Sequence, residues 1–311
     1  MTAANGGGGF LLIFLISTIL IGFPLLLAEF ALGRSAGVSA IKTFGKLGKN
    51  NKYNFIGWIG AFALFILLSF YSVIGGWILV YLGIEFGKLF QLGGTGDYAQ
   101  LFTSIISNPA IALGAQAAFI LLNIFIVSRG VQKGIERASK VMMPLLFIVL
   151  PQLFDKMPFG TIFYVLFLFA TVTSSVVMLE INVGNITNQD NSKRAKWSVI
   201  LGILTFVFGI PSALSYGVMA DVHIFGKTFF DAMDFLVSNL LMPFGALYLS
   251  LFTGYIFKKA LAMEELHLDE RAWKQGLFQV WLFLLRFFVS SFQSSSLWSS
   301  LPNLCNQKGL E

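Results

Sequence analysis

The chain has 311 residues, of which 56% are hydrophobic and only 12% charged, and its mean hydropathy is +0.79. A soluble domain carries about 25% charged residues, so this composition excludes one and describes a polytopic membrane protein. The net charge of +6 falls in short segments between apolar runs and does not point to nucleic acid.

Enzyme chemistry is poorly represented. The single Cys305 excludes an internal disulfide and a thiolate metal site. His223 and His267 lie far apart, outside the apolar runs. No cluster of His, Cys and carboxylate residues has ligand spacing, and there is no phosphate-binding loop or nucleophile elbow. The N-terminus lacks a basic segment and a cleavage site, so no signal peptide is expected.

In chain order, a Gly-rich lead-in precedes a first span over about 10–32, which contains Pro24. A basic segment with Arg34, Lys42, Lys46, Lys49 and Lys52 leads to the second span, 55–82. A slightly acidic connection follows, then the third span, 109–127. Arg129, Lys133, Arg137 and Lys140 precede the apolar run 141–154 of a fourth span, 139–154, broken by Pro144 and Pro151. Its continuous apolar part holds about 14 residues, roughly 21 Å, against a bilayer core of about 30 Å. The fifth span is 159–181, followed by Lys193, Arg194 and Lys196. The sixth is 197–214, the seventh 235–257 and the eighth 277–289. The expectation is an all-α integral membrane protein of about eight transmembrane helices in a single domain, 1–289. The Ser-rich stretch 290–311 changes composition abruptly and reads as a disordered or frame-shifted tail.

Lys and Arg alternate between connections. The positive-inside rule puts 33–53, 128–140, 182–196 and 258–274 in the cytoplasm and the N-terminus outside. The Asn185-Ile186-Thr187 glycosylation pattern then falls on the cytoplasmic side and reads as chance.

The fifth span carries the most informative pattern. At helical spacing Ala170, Thr173, Ser174 and Val177 share one face, with Thr171, Ser175 and Met178 beside it. Hydroxyls at membrane depth either donate to the carbonyl one turn back and admit a neighbouring helix, or serve as oxygen ligands for a small hard cation.

Three motifs together resemble the neurotransmitter:sodium symporters. Asn5-Gly6-Gly7-Gly8-Gly9-Phe10, Gly22-Phe23-Pro24-Leu25 and Glu29-Phe30-Ala31-Leu32-Gly33-Arg34 are similar to that family's second helix. Residues 129–137 resemble the loop between its fourth and fifth helices, and the stretch from Ala170 to Glu180 resembles its eighth. The resemblance covers about Asn5 to Val289. It implies a LeuT-type inverted-repeat fold in the plasma membrane and sodium-dependent symport of an amino acid or similar small zwitterion. It also implies roles for particular positions. The Ala170 carbonyl, Thr173 and Ser174 would hold sodium. Tyr71, Leu67, Ser174 and Met178 would line the substrate site. Glu29 would brace a broken helix, its alternative being a surface acid paired with Arg34. For Tyr71 the plain reading is a phenol satisfied by a neighbouring helix, and for Leu67 and Met178 it is packing.

Measured against the family, the chain begins after the segment that would be the first helix. It passes at Leu150-Pro151 from the fifth helix to the approach to the eighth, and it has no twelfth. Removing two helices, the sixth and seventh, keeps the charge alternation intact. Three oxygens fall short of the roughly six that a hard cation takes, so the fold is expected to be incomplete and the chain as written transport-incompetent. A non-transporting membrane scaffold or assembly partner is the competing reading, and the resemblance leaves a homo-oligomer open.

Overall fold

The computed structural model describes residues 7–89, 98–129, 159–188, 190–268 and 272–305. Among them, helices are α1 (Gly8–Ala36), α2 (Ala40–Leu47), α3 (Asn54–Leu89), α4 (Tyr98–Ser107) and α5 (Pro109–Ser128). They continue with α6 (Phe159–Thr187), α7 (Asn191–Leu214), α8 (Phe229–Ile256), α9 (Lys259–Glu265) and α10 (Lys274–Ser299). Seven of these, α1, α3, α5, α6, α7, α8 and α10, contain stretches long and apolar enough to cross a membrane. The expected fourth span, 139–154, lies outside the described residues.

Local chemistry sets several ends. The Asn108 side chain accepts from the backbone N–H groups of Ala110 and Ile111, and Pro109 follows it as the first helical residue of α5. Asp190 caps α7 by accepting from the Ser192 hydroxyl at 2.7 Å and from its backbone N–H at 2.9 Å. These hydrogen bonds hold its carboxyl below the usual carboxylate range. Between α7 and α8 lies a short antiparallel hairpin, β1 (His223–Ile224) and β2 (Lys227–Thr228). Its two-residue turn, Phe225 and Gly226, has φ of 52° and 70°, the left-handed geometry of a tight hairpin.

The chain divides into two compact units, one of residues 1–61 with 236–311 and one of residues 62–235. The first unit packs Ala28, Leu32, Phe44, Phe252, Trp281 and Leu285 into one apolar core. The Trp281 indole N–H donates to the Pro24 carbonyl at 3.0 Å, which joins α10 to α1. The second unit is built on Leu68, Phe119, Val127, Val176, Leu179 and Leu201, from α3, α5, α6 and α7. Gly209 of α7 lets these helices close up. A Cβ there would lie 2.1 Å from Gln116 Nε2 and 2.5 Å from the Ser69 carbonyl oxygen. Outward-facing Phe, Leu and Ile residues, such as Phe62, Leu121, Phe125 and Phe208, leave these helices apolar on the exposed side as well.

Two expectations need correction. Residues 290–305 are helical and continue α10 rather than forming a disordered tail. Serine does not forbid this, because its hydroxyl bonds back within the helix: Ser294 donates to Ser291 O and Ser299 to Ser296 O. The expected connection 182–196 is also mostly helix. α6 runs to Thr187 and α7 starts at Asn191, so Lys193, Arg194 and Lys196 lie in the first turns of α7.

Candidate functional site

The hydroxyls of α6 divide into two sets. Thr171 and Ser175 are buried, at 1% and 0% exposure. Ala170 and Ser174 are exposed, Thr173 is half-buried, and Val177 is 41% exposed. What fixes this rotation is a polar contact to α5. The Ser175 hydroxyl donates to Asn123 Oδ1 at 2.7 Å, and Asn123 Nδ2 donates to the Phe119 carbonyl. Val172, Val176, Leu179 and Val183 pack on the same side. The opposite face, with Ala170, Thr173 and Ser174, is therefore turned outward.

On that face three oxygens converge. Thr173 Oγ1 donates to the Ala170 carbonyl at 2.9 Å and to the Phe169 carbonyl at 3.0 Å. Ser174 Oγ donates to the same Ala170 carbonyl at 3.1 Å. Without an ion this is ordinary back-bonding in a membrane helix. Each hydroxyl can rotate its proton away and present a lone pair, which turns the triplet into one side of a shell for a hard cation. Groups of three or more His, Cys, Asp or Glu residues able to hold a metal are absent among the described residues. The oxygens on this face of α6 are neutral.

Register ties α6 to α3. Tyr81 and Tyr164 stack with ring centroids 5.2 Å apart and planes within 2°. Leu68 shares a core with Val172 and Val176, so the two helices run antiparallel. Tyr71 is ten residues before Tyr81, and Ser174 is ten after Tyr164. At 1.5 Å per residue both lie about 15 Å from the stack, at one level. By the same count Leu67 and Met178 share the next rung, one turn away. All but Ser174 are half-buried. Among the described residues the Tyr71 hydroxyl makes no hydrogen bond.

Glu29 belongs to the first unit, where it is exposed on α1. It forms no ion pair with Arg34 or with any other described residue.

Three polar features of the second unit are not singled out by the apolar pattern of the sequence. Asn123 and Gln116 are polar residues inside an apolar run, and both are almost fully buried. Gln116 Nε2 donates to Ser72 Oγ at 3.1 Å. Polar residues at membrane depth are signals in themselves. The third is the close ion pair of Arg194 with Glu180, in which Arg194 Nε also donates to the Val127 carbonyl at 3.3 Å. It ties together the ends of α5, α6 and α7. Beyond the other end of α7, Tyr216 donates to Asp231 at 3.1 Å. Burial first, and then the neighbouring Asp231 charge, push this phenol up to about 12.

Comparison with known proteins adds the following. Residues 1–91 match the Sodium:neurotransmitter symporter family. The chain is 36% identical to the uncharacterized sodium-dependent transporter YhdH of Bacillus subtilis (strain 168), over 93% of this chain and 89% of that protein. That alignment occupies 402 positions, more than the 311 residues present, so the relative carries segments without a counterpart here. An uncharacterized sodium-dependent transporter of Haemophilus influenzae is 31% identical over 48% of this chain and 35% of its own length. The crystal structure of MhsT in complex with L-phenylalanine is similar at a TM-score of 0.81 and 26% identity, covering 96% of this chain and 92% of that one.

Proposed function

The chain belongs to the sodium:neurotransmitter symporter family, and from that premise we propose that its α6 oxygens form one side of a sodium site in a symporter for an amino acid or similar small zwitterion. The family is one of sodium-dependent transporters, not enzymes, and the seven apolar helices make this a multi-pass membrane protein. The observation that carries the reading is the convergence of the Ala170 carbonyl, Thr173 Oγ1 and Ser174 Oγ on the outward face of α6.

In this reading the ion takes those three oxygens. The substrate carboxylate meets the Tyr71 hydroxyl, with Ser174 at the same level. Leu67 and Met178 form the apolar rung one turn away, which suits a side chain such as that of L-phenylalanine, the molecule bound in the MhsT crystal structure. Glu29 offers its carboxylate to a helix end. The chain lies in the plasma membrane with its N-terminus outside and its basic connections in the cytoplasm.

Transport by this chain alone is a separate matter. Three oxygens replace only part of a hydration shell, since hard cations take about six ligands. The relative's additional segments have no equivalent here. We therefore propose that the chain by itself is transport-incompetent. The exposed position of Ala170 and Ser174 on α6 favours a second reading, an assembly partner whose α6 hydroxyl face meets another membrane chain.

Reconstitution into proteoliposomes tests this. With a sodium gradient and radiolabelled L-phenylalanine as first probe, the expected result is no sodium-dependent accumulation. Sodium-driven uptake that is lost in Thr173→Ala with Ser174→Ala would keep the assigned ion site and overturn the incompetence. Uptake indifferent to those substitutions would overturn the site itself.

A further inference from the structure

One cation within an apolar helix has no part in the site above. Arg286 lies near the middle of α10, twelve residues or about 18 Å from Lys274.

Arg286 reaches the end of α8. Its Nε donates to the Gly254 carbonyl at 2.7 Å, and its guanidinium lies over the Tyr255 ring at 5.0 Å. The helix stops just beyond, where Phe257 is extended at φ −65° and ψ 133°. Gly254 makes room for this approach, since a Cβ there would lie 2.8 Å from Arg286 Cγ. The plain account is a helix C-cap, in which an arginine satisfies a terminal carbonyl. That account uses one of the five N–H donors of a guanidinium. Among the described residues the other four have no hydrogen-bond partner, and no carboxylate pairs with the charge. Glu264 and Glu265 on α9 form no ion pair with it, nor with Lys258 and Lys259. Those two lysines follow within five residues of Gly254, and both are exposed, as is Tyr255.

A planar fork with free donors, two exposed ammonium groups close in sequence and an exposed tyrosine at a helix end together match one ligand chemistry. An arginine fork recognises a phosphate through two parallel hydrogen bonds, while lysines add charge without fixed geometry. Polybasic groups beside an apolar span attract anionic lipid. We propose that Arg286, Lys258 and Lys259 form a binding site for a phosphate oxyanion at the end of α8, supplied by the headgroup of an anionic phospholipid.

The test uses the full chain in detergent micelles doped with phosphatidylglycerol, phosphatidylcholine or neither, with the unfolding temperature as readout. Phosphatidylglycerol is expected to raise it saturably by a few degrees and phosphatidylcholine not to. The shift is expected to vanish in Arg286→Gln and to shrink in Arg286→Lys, which keeps the charge and the cap but loses the fork. It should also shrink in the Lys258→Gln, Lys259→Gln double variant, whose exposed positions leave the fold intact if Arg286→Gln does not fold. Inorganic phosphate is expected to produce no shift. An equal saturable shift with phosphate that depends on Arg286 would keep the oxyanion site and make a soluble anion its source. Equal shifts with both lipids, or a phosphatidylglycerol shift unchanged in Arg286→Lys and in the lysine variant, would overturn the proposal.

Discussion

Ser175 gives its hydroxyl proton to Asn123 Oδ1 at 2.7 Å in the interior of the second unit, while its neighbour Ser174 is exposed on the other side of α6. Adjacent serines on a helix are about 100° apart, so the face that carries this bond, with Val172, Val176, Leu179 and Val183 packed beside it, leaves Ser174 outside. The coupling between Asn123 and Ser175 is expected to be near the usual range for such bonds in membranes, about 0.6 kcal/mol on average and up to about 1.7. A double-mutant cycle of Asn123→Ala and Ser175→Ala on unfolding in micelles measures it. Strict additivity would mean that the bond does not hold α6 in place.

The outward hydroxyls should behave differently. Thr173 and Ser174 donate only to carbonyls of their own helix. Thr173→Ala and Ser174→Ala are therefore expected to change stability by no more than about 0.5 kcal/mol. Losses well above that in the same unfolding assay would show these hydroxyls to be structural and would remove the reason to regard them as ion ligands.

Gly209 tests the close approach of α7. Gly209→Ala would press a methyl group against Gln116 and the Ser69 carbonyl, and the carbonyl cannot move freely. A loss of about 1–3 kcal/mol is expected. Gly83 on α3 serves as the control, because a Cβ there meets nothing within 4 Å. Gly83→Ala should be neutral or stabilising by up to about 1 kcal/mol, since alanine is the better helix former. Equal effects at the two glycines would contradict the packing described.

Tyr216 gives a pH dependence. Its folded-state value of about 12 stands above the ordinary phenol value of 10.0. The folded state thus binds the proton more tightly than the unfolded state does. The stabilisation is complete below pH 10 and is lost as pH rises towards 12. Unfolding temperatures across that range should fall, and Tyr216→Phe should flatten the fall. An unchanged slope in Tyr216→Phe would assign the alkaline loss to other groups.

Much of the architecture is legible from the residues alone, and the reasons are physical. Apolar runs such as 109–127 and 197–214 must be helical to satisfy their backbone in lipid. The structure gives Pro109–Ser128 and, with its basic first turns, Asn191–Leu214. The α6 pattern shows which hydroxyls share a face. It does not show which face meets protein, because that depends on Asn123, a residue distant in sequence. The Ser-rich end misleads because composition argues for disorder while the hydroxyls bond back to their own helix; Ser290 also meets Ser250 at 3.1 Å. That Tyr71 and Ser174, and Leu67 and Met178, count to the same levels of α3 and α6 follows only from the stack of Tyr81 on Tyr164. Neither tyrosine stands out in the sequence.

Equilibrium binding of radiolabelled sodium to the purified chain is the most direct test of whether the Ala170, Thr173 and Ser174 oxygens are one side of an ion site that needs further chain to be complete. The account predicts no saturable binding in the millimolar range by this chain alone. Saturable millimolar binding, abolished by Thr173→Ala with Ser174→Ala, would contradict it by showing that the site is complete as it stands.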